Sequence, residues 1–427
     1  MNNKTLLSSR RGFIQSVGAT GLLILNKPSF ALGSKPPLGR VVIIGGGYAG
    51  ATAAKYLRMW SLGNIETVVI EKSNQFVSCP LSNLVLGGSK TINDLTFGYD
   101  LVQKNHGIKW VHDEVTAIDT VKKTVTMKRG AINYDRLIIA PGVDFNYAQL
   151  PQLMTEHAQT EVPHAWKAGW QTVNLRKQLE AMPDGGVFVM SIPKMPYRCP
   201  PGPYERACQV ASYFKVHKPK GKIIILDANP DIVSKKGLFV KAWDSMYAGM
   251  IDYRPNSEII KLDTSNKTVS TDFETVQADV LNIIPPQLAG KPAQMAGLNN
   301  IDQRWCEVSF LNYESAVSPY VHVIGDSVSA GLPKSAHMAT SQAKICAAAI
   351  IQMMSGQTPD PNPVFANTCY SYVNDKQAIH VANVYRYDLQ KDMMISAEGG
   401  GVSTHSSDQE GAYADAWAHN IWADVLT

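Results

Sequence analysis

Cys199 stands in the stretch YRCPPGPYERACQ, Tyr197 to Gln209, directly before three prolines in four residues. Proline fixes φ and lacks an N–H donor, so this loop is stiff and presents one thiol in one place. A helix pattern follows in YERACQVASYFKVH. A thiol near a helix N-terminus is biased towards the nucleophilic thiolate. Glu205 falls in the first turn and can serve as acid or base if partly buried. The chain has six cysteines, at 79, 199, 208, 306, 346 and 369, and neither C-x-x-C nor C-x-x-C-H. A thioredoxin-type site and a c-type haem carried by this chain are therefore excluded. A chemical partner for Cys199 must come from elsewhere, and Cys369, in the polar, non-helical FANTCYSYV, is the best candidate. Cys346 lies on an apolar helix and reads as packing, Cys306 in RWCEVS as structural, and Cys208 as core. The ten histidines show no ligand spacing, so no metal site is expected.

The elements that must position this thiol begin after Gly39. RVVIIGGGYAGATAAKYLRMW and ETVVIEKSN read as strand, Gly45-x-Gly47-x-x-Gly50 turn, Ala-rich helix and second strand, with Glu71 about 20 residues beyond the glycines. That is a dinucleotide fingerprint in its required context. The glycines let the backbone approach a pyrophosphate, the helix N-terminus faces its charge, and Glu71 accepts ribose hydroxyls. YDRLIIAPGV (Tyr134 to Val143) and YVHVIGDSV (Tyr320 to Val328) resemble the secondary flavin-binding stretches of two-dinucleotide-domain flavoproteins, which favours FAD over NAD. In that group the acid matching Asp326 bonds the ribityl chain, and the helix near 335–354 points its N-terminus at the flavin.

The unit occurs twice. IDTVKKTVT (Ile118 to Thr126) recurs as LDTSNKTVS (Leu262 to Ser270), and each precedes an apolar strand ending in Pro, RLIIAPG and VLNIIPP. Working back from the second copy gives GGVFVMSIP, the Cys199 loop, a helix and GKIIILDAN, with Asp227 standing where Glu71 stood. The proline loop thus replaces the glycine loop of a second nucleotide site. One nucleotide cofactor and no nicotinamide reductant are expected.

Taken together, the stretches GATAAKY, CPLSN, PHAWKAG, RCPPGPYERA, VIGD and NTCYS are similar to the flavoprotein subunit of flavocytochrome c sulfide dehydrogenase, along essentially the whole chain from Arg40. The resemblance implies a redox disulfide between Cys199 and Cys369 against the flavin and a site role for Glu205. It also implies that Cys79, in VSCPLSN, can be joined to FAD as a thioether. Oxidation of sulfide to zero-valent sulfur or polysulfide would follow, with electrons leaving to haem c on a partner cytochrome subunit. Asn83, four residues after Cys79, removes the C-x4-C of pyridine-nucleotide disulfide reductases. Cys208 departs from the family pattern and offers an alternative pairing with Cys199. Two other readings are a sulfide:quinone oxidoreductase and a non-enzymatic, flavin-containing sulfur-binding subunit.

The 427 residues, 45% hydrophobic, suffice for more than one core. The expected fold is α/β: two Rossmann-like domains of the glutathione-reductase type, with a smaller C-terminal α+β domain. The flavin domain is split, 39–150 and 285–358, around a second Rossmann-like domain at 151–284 without an NAD site. Residues 359–427 form an interface domain. Residues 1–31 carry Arg10-Arg11, a short apolar run and a small-x-small cleavage site, the pattern of a twin-arginine leader to the periplasm. That leader contains four basic residues and no acid, so its removal balances 40 basic against 36 acidic residues and leaves no basis for nucleic-acid binding. No stretch is apolar enough to span a membrane. The tail EGAYADAWAHNIWADVLT lacks a cationic face and reads as packing or a partner contact rather than a bilayer anchor.

Overall fold

The computed structural model describes residues 37–427, so the twin-arginine leader lies outside the described residues. The first sheet has six strands, in the order Glu314–Ser315, Ser318–Val323, Arg136–Ile139, Gly39–Ile44, Ile65–Glu71, Lys109–His112, and is parallel except at its Glu314–Ser315 edge. Its central strands GRVVII and RLII bury every residue from Val41 to Ile44 and from Leu137 to Ile139, as strands covered on both faces do. One covering layer is the helix Tyr48–Trp60, packed against Ala336–Met354. Ala49, Gly50, Ala51, Ala53 and Ala54 are buried on it, and their small side chains allow the close approach.

The second sheet, Ile251–Arg254, Lys222–Asp227, Val187–Ile192, Val280–Ile283, is wholly parallel. It repeats the order of the first sheet's last four strands. Each copy also carries a three-stranded antiparallel meander, Val115–Asp119 to Gly130–Asn133 in the first and Lys261–Asp263 to Thr275–Gln277 in the second. The internal repeat is therefore one supersecondary unit built twice. Val143–Phe145 and Gln287–Ala289 pair antiparallel where the chain leaves one unit and re-enters it.

The C-terminal part is an antiparallel sheet, Val364–Tyr372, Ala378–Asp388, Met393–Val402, followed by the helix Asp408–Leu426. That helix gives Ala414, Ala418, Ile421, Trp422, Val425 and Leu426 to the core of the first unit, while Val373 and Ile379 enter the core of the second. A buried aliphatic side chain contributes roughly 1.5–3 kcal/mol. Both units are thereby tied to the strand that carries Cys369. Among the described residues no helix is long and apolar enough to cross a membrane.

Candidate active site

At the end of the first strand Gly45 adopts φ +103°, and a Cβ there would lie 2.4 Å from the Ala140 carbonyl oxygen. A Cβ on Gly50 would lie 1.8 Å from the carbonyl oxygen of Gly45, so only glycine lets the helix start this close to the strand. Gly47 is the opposite case, with nothing within 4 Å of its ideal Cβ. It opens onto a cavity of about 500 Å³ that also receives Glu71, Cys79, Asp326, Cys199, Glu205 and Cys369. The helix behind Gly47 has no side-chain cap, so its first N–H groups are available to an anion. Glu71 is braced by the N–H groups of Gly46 (2.7 Å) and Ser73 (2.8 Å). Withdrawal from water pushes the Asp326 carboxyl up, opposed by Arg198 and Lys334. An open glycine cradle, an uncapped helix start and two acids along one cavity fit FAD. Gly45, Gly47, Gly50, Glu71 and Asp326 are the residues that would hold it.

Cys79 lies on the cavity wall just before the helix Ser82–Gly87. Its neighbour Ser78 is fixed by Tyr48 Oη at 2.7 Å and by Trp422 Nε1, which donates to both hydroxyls at 3.0 Å. The C-terminal helix thus pins the backbone beside Cys79.

Cys199 sits at φ +58°, a backbone region that side chains other than glycine rarely occupy. The loop is held from several sides. The Cys199 N–H donates to the Lys334 carbonyl (2.8 Å), the Arg198 N–H to Gln287 Oε1 (2.8 Å), and Trp166 Nε1 to the Arg198 carbonyl (3.0 Å). A Cβ on Gly202 would meet Cys199 Sγ at 2.9 Å, which explains the glycine between the prolines. Cys369 comes from the strand Val364–Tyr372, and its thiol, which donates to the Tyr370 carbonyl at 3.9 Å, lies close enough to that of Cys199 for each to perturb the other's charge. Two cysteines 170 residues apart in sequence therefore meet at the cavity that the glycine loop opens.

Glu205 joins three segments. Its Oε1 accepts the Tyr372 N–H (2.8 Å) and its Oε2 accepts Asn83 Nδ2 (2.8 Å), while its own helix carries it beside Cys199. Burial raises its pKa, and these two donors oppose the rise. Behind it the buried Arg206 donates to Asn83 Oδ1, the His164 and Ala165 carbonyls and Asn282 Oδ1.

The charge on the sulfur pair differs from the sequence expectation. The helix start suggested a thiolate at Cys199, yet Cys199 is pushed well up by the neighbouring Cys369 thiol and by burial. Cys369 is brought down by the neighbouring Cys199 thiol, against burial, with help from the Lys235 ammonium. Lys235 was not singled out from the sequence. It precedes Lys236 in an ordinary-looking charged pair, and nothing in the spacing marks it as buried. Its Nζ nevertheless donates to the Cys369 carbonyl (3.0 Å) and Ser371 Oγ (2.8 Å).

The other cysteines lie where packing puts them. Cys208 is fully buried and receives Trp243 Nε1 at 3.2 Å, and burial pushes its thiol up to about 12. Its described contact is thus Trp243 rather than Cys199. Cys306 and Cys346 are fully buried too. Asp227, the counterpart of Glu71, is fully buried, and its carboxylate accepts Tyr204 Oη (2.8 Å), Tyr253 Oη (3.0 Å) and the backbone (2.9 Å) and side-chain (2.8 Å) N–H groups of Asn229. No lone pair is left for a ribose.

Three family models match. "Sulfide dehydrogenase [flavocytochrome c] flavoprotein chain, central" covers residues 172–285, "Flavocytochrome c sulphide dehydrogenase, flavin-binding" covers 361–426, and the pyridine nucleotide-disulphide oxidoreductase model covers 39–176. The sulfide dehydrogenase flavoprotein chain of Chlorobaculum thiosulfatiphilum is 48% identical over 46 residues, 11% of this chain and 94% of that sequence. The mitochondrial sulfide:quinone oxidoreductase of Dictyostelium discoideum is 24% identical over 338 residues, 74% of this chain and 71% of that one. Among solved structures, the sulfide:quinone oxidoreductase of Aquifex aeolicus superposes with TM-score 0.72 at 18% identity, covering 91% of each chain. The putidaredoxin reductase–putidaredoxin complex gives 0.62 at 17%, covering 90% of this chain and 93% of that one. These superpositions share the two-Rossmann fold with its C-terminal domain.

Proposed function

We propose, for a chain that belongs to the flavoprotein family of flavocytochrome c sulfide dehydrogenase, that it oxidises sulfide and passes the electrons to a c-type cytochrome subunit. The observation that carries this reading is the contact of the Cys199 and Cys369 thiols at the wall of the cavity opened by the glycine loop. Oxidised, the pair forms a disulfide that hydrosulfide opens, leaving a persulfide on one cysteine and a thiolate on the other. Glu205, at the cavity wall, would take the proton that hydrogen sulfide gives up on becoming the attacking hydrosulfide. FAD, when bound, supplies the two-electron acceptor that can release electrons singly. Overall one sulfide sulfur loses two electrons, leaves as zero-valent sulfur or polysulfide, and the disulfide closes again. Cys79, on the wall of the same cavity, would carry the thioether to the cofactor, and the leader would deliver the folded protein to the periplasm.

The C-terminal helix supports a soluble acceptor. Its apolar residues and Trp422 are spent on the core, and its exposed residues are Asp408, Gln409, Ala412, Tyr413, Ala416, His419, Asn420 and Ala423. A bilayer-lying helix needs cations and bulky apolar groups outside. The long alignment with a sulfide:quinone oxidoreductase favours the second reading, a quinone acceptor. Both are tested by anaerobic sulfide addition to purified protein, followed by a soluble c-type cytochrome or a short-chain quinone. Bleaching of the flavin band, its loss in Cys369→Ser, and faster reduction of the cytochrome are expected. A flavin band that survives sulfide overturns sulfide oxidation, and preferential quinone reduction overturns the cytochrome.

A further inference from the structure

We propose that Lys235 makes Cys369 the departing sulfur, so that hydrosulfide attacks Cys199 when the disulfide opens. This deepens the sulfide reading above and rests on it. Taken alone, two neighbouring thiols are symmetric, and either sulfur can keep the charge. Their surroundings are not symmetric.

On one side stands Lys235, only 9% exposed, at the start of the helix Lys236–Met246. Its ammonium donates to the Cys369 carbonyl and to Ser371 Oγ, so it lies along the strand edge that presents Cys369. On the other side Cys199 precedes the helix whose first turn holds Glu205. Bonds from Tyr372 and Asn83 fix that carboxylate as an acceptor. The charged and titratable groups facing Cys369 are thus Cys199, Lys235 and Glu205, and Lys235 in turn faces Glu410. Lys235 is thus bound to the Cys369 strand itself, whereas Glu205 rides on the helix that follows Cys199. The cation and the anion together polarise the pair towards a charged Cys369 and a neutral Cys199.

A disulfide opens faster towards the sulfur that leaves as the more stable thiolate. In the proposed step the hydrosulfide sulfur forms a bond to Cys199 Sγ, the Cys199–Cys369 bond breaks, and its electron pair stays on Cys369. The incoming sulfur is oxidised to the sulfane level, the disulfide is reduced, and the hydrosulfide proton remains on the outer sulfur of the persulfide. Lys235 touches neither the incoming sulfur nor the breaking bond. It is a positioning residue acting through Cys369.

The experiment uses the holoprotein and two readouts by peptide mass spectrometry. First, one equivalent of sulfide is added anaerobically to oxidised wild type, and the sample is quenched in acid and alkylated. The extra sulfur is expected on the Cys199 peptide. Extra sulfur on Cys369 overturns the assignment while leaving sulfide oxidation standing. Extra sulfur on neither at any quench time, with the flavin band unbleached, overturns the sulfide reading and this step with it. Second, the reduced protein is alkylated with iodoacetamide from pH 5 to 9 in wild type, Lys235→Met and Lys235→Arg. Cys369 is expected to react first in wild type. In Lys235→Met its profile should move up by about one pH unit, a roughly tenfold slower reaction at the acid end of the range, and Lys235→Arg should restore it. Unreactive Cys208, Cys306 and Cys346 in each variant report that the core is intact. An unmoved Cys369 profile in a folded Lys235→Met protein overturns the role of Lys235.

Discussion

Replacing Glu205 by glutamine tests the polarity of the network that joins the three segments of the site. Among the described residues each partner of this carboxylate donates: the Tyr372 N–H at 2.8 Å and Asn83 Nδ2 at 2.8 Å. Asn83 cannot turn over to compensate. Its Oδ1 accepts Arg206 Nε at 3.1 Å, and its Nδ2 also donates to the Gly202 carbonyl at 3.1 Å. Whichever way the new amide points, it sets an N–H against an N–H. Glu205→Gln therefore loses one buried charge-assisted hydrogen bond, about 1.5–3 kcal/mol. Asn83→Asp alone loses the donations to both Glu205 and Gly202 and brings two carboxylates together, so it should cost more. In the double variant the new amide at 205 donates to the new carboxylate at 83, which still accepts from Arg206, and only the Gly202 carbonyl goes unserved. The two substitutions should therefore couple favourably by about 2–3 kcal/mol. Urea unfolding followed by tryptophan fluorescence on the four proteins measures this. A double variant equal to the sum of the singles within about 0.5 kcal/mol, or a Glu205→Gln protein as stable as wild type, would refute the network.

His322 is fully buried, with Arg136 Nη1 donating to Nε2 (3.1 Å) and Nδ1–H donating to the Asn312 carbonyl (2.9 Å), an arrangement open only to the neutral ring. Burial lowers its pKa from 6.5 to about 3. Between those values the unfolded chain binds a proton that the folded chain refuses, so this stability is complete above 6.5 and declines as pH falls, by about 2 kcal/mol at pH 5. Unfolding at pH 7 and 5 should show a shallower loss in His322→Gln, and an identical slope would rule the group out. Acid precipitation should leave flavin in the wild-type pellet and release it to the supernatant from Cys79→Ala; wild type that releases its flavin has no thioether. Cys208→Ala should cost about 1 kcal/mol through lost packing and leave sulfide-dependent bleaching unchanged. Slower bleaching would mean that Cys208 pairs with Cys199 after all.

The glycine fingerprint and the repeat were legible because both are local: strand, turn, helix and acid occur within one short span, and the copy repeats them in order. Glu205 was legible from its place in a helical turn. Lys235 was not, because its burial is decided by the strand Val364–Tyr372, which passes over it more than a hundred residues later in the chain. The surroundings that set the charge on the sulfur pair were illegible for the same reason. A helix start was visible in the sequence, whereas the neighbouring Cys369 thiol and the burial that hold Cys199 up come together only in the fold. Asn83 was read for the cysteine it replaces. Its bonds to Glu205, Arg206 and Gly202 depend on a helix in another unit.

The second unit explains why sulfur chemistry and nucleotide chemistry exclude each other at this position. Asp227 keeps the place of a ribose-binding acid, but Tyr204, in the first turn of the Cys199 helix, reaches its carboxylate at 2.8 Å, and Tyr253 reaches it at 3.0 Å. Restoring glycines to the proline loop would therefore not restore a nucleotide site, because the acid is already saturated from within. It would instead release Cys199 from a backbone conformation, φ +58°, that the Lys334 and Gly202 hydrogen bonds hold against its own preference. The prolines, the tyrosine and Asp227 act as one unit that trades phosphate recognition for a fixed sulfur. The C-terminal sheet completes the exchange by bringing Cys369 to that sulfur, beside the cavity of the first unit.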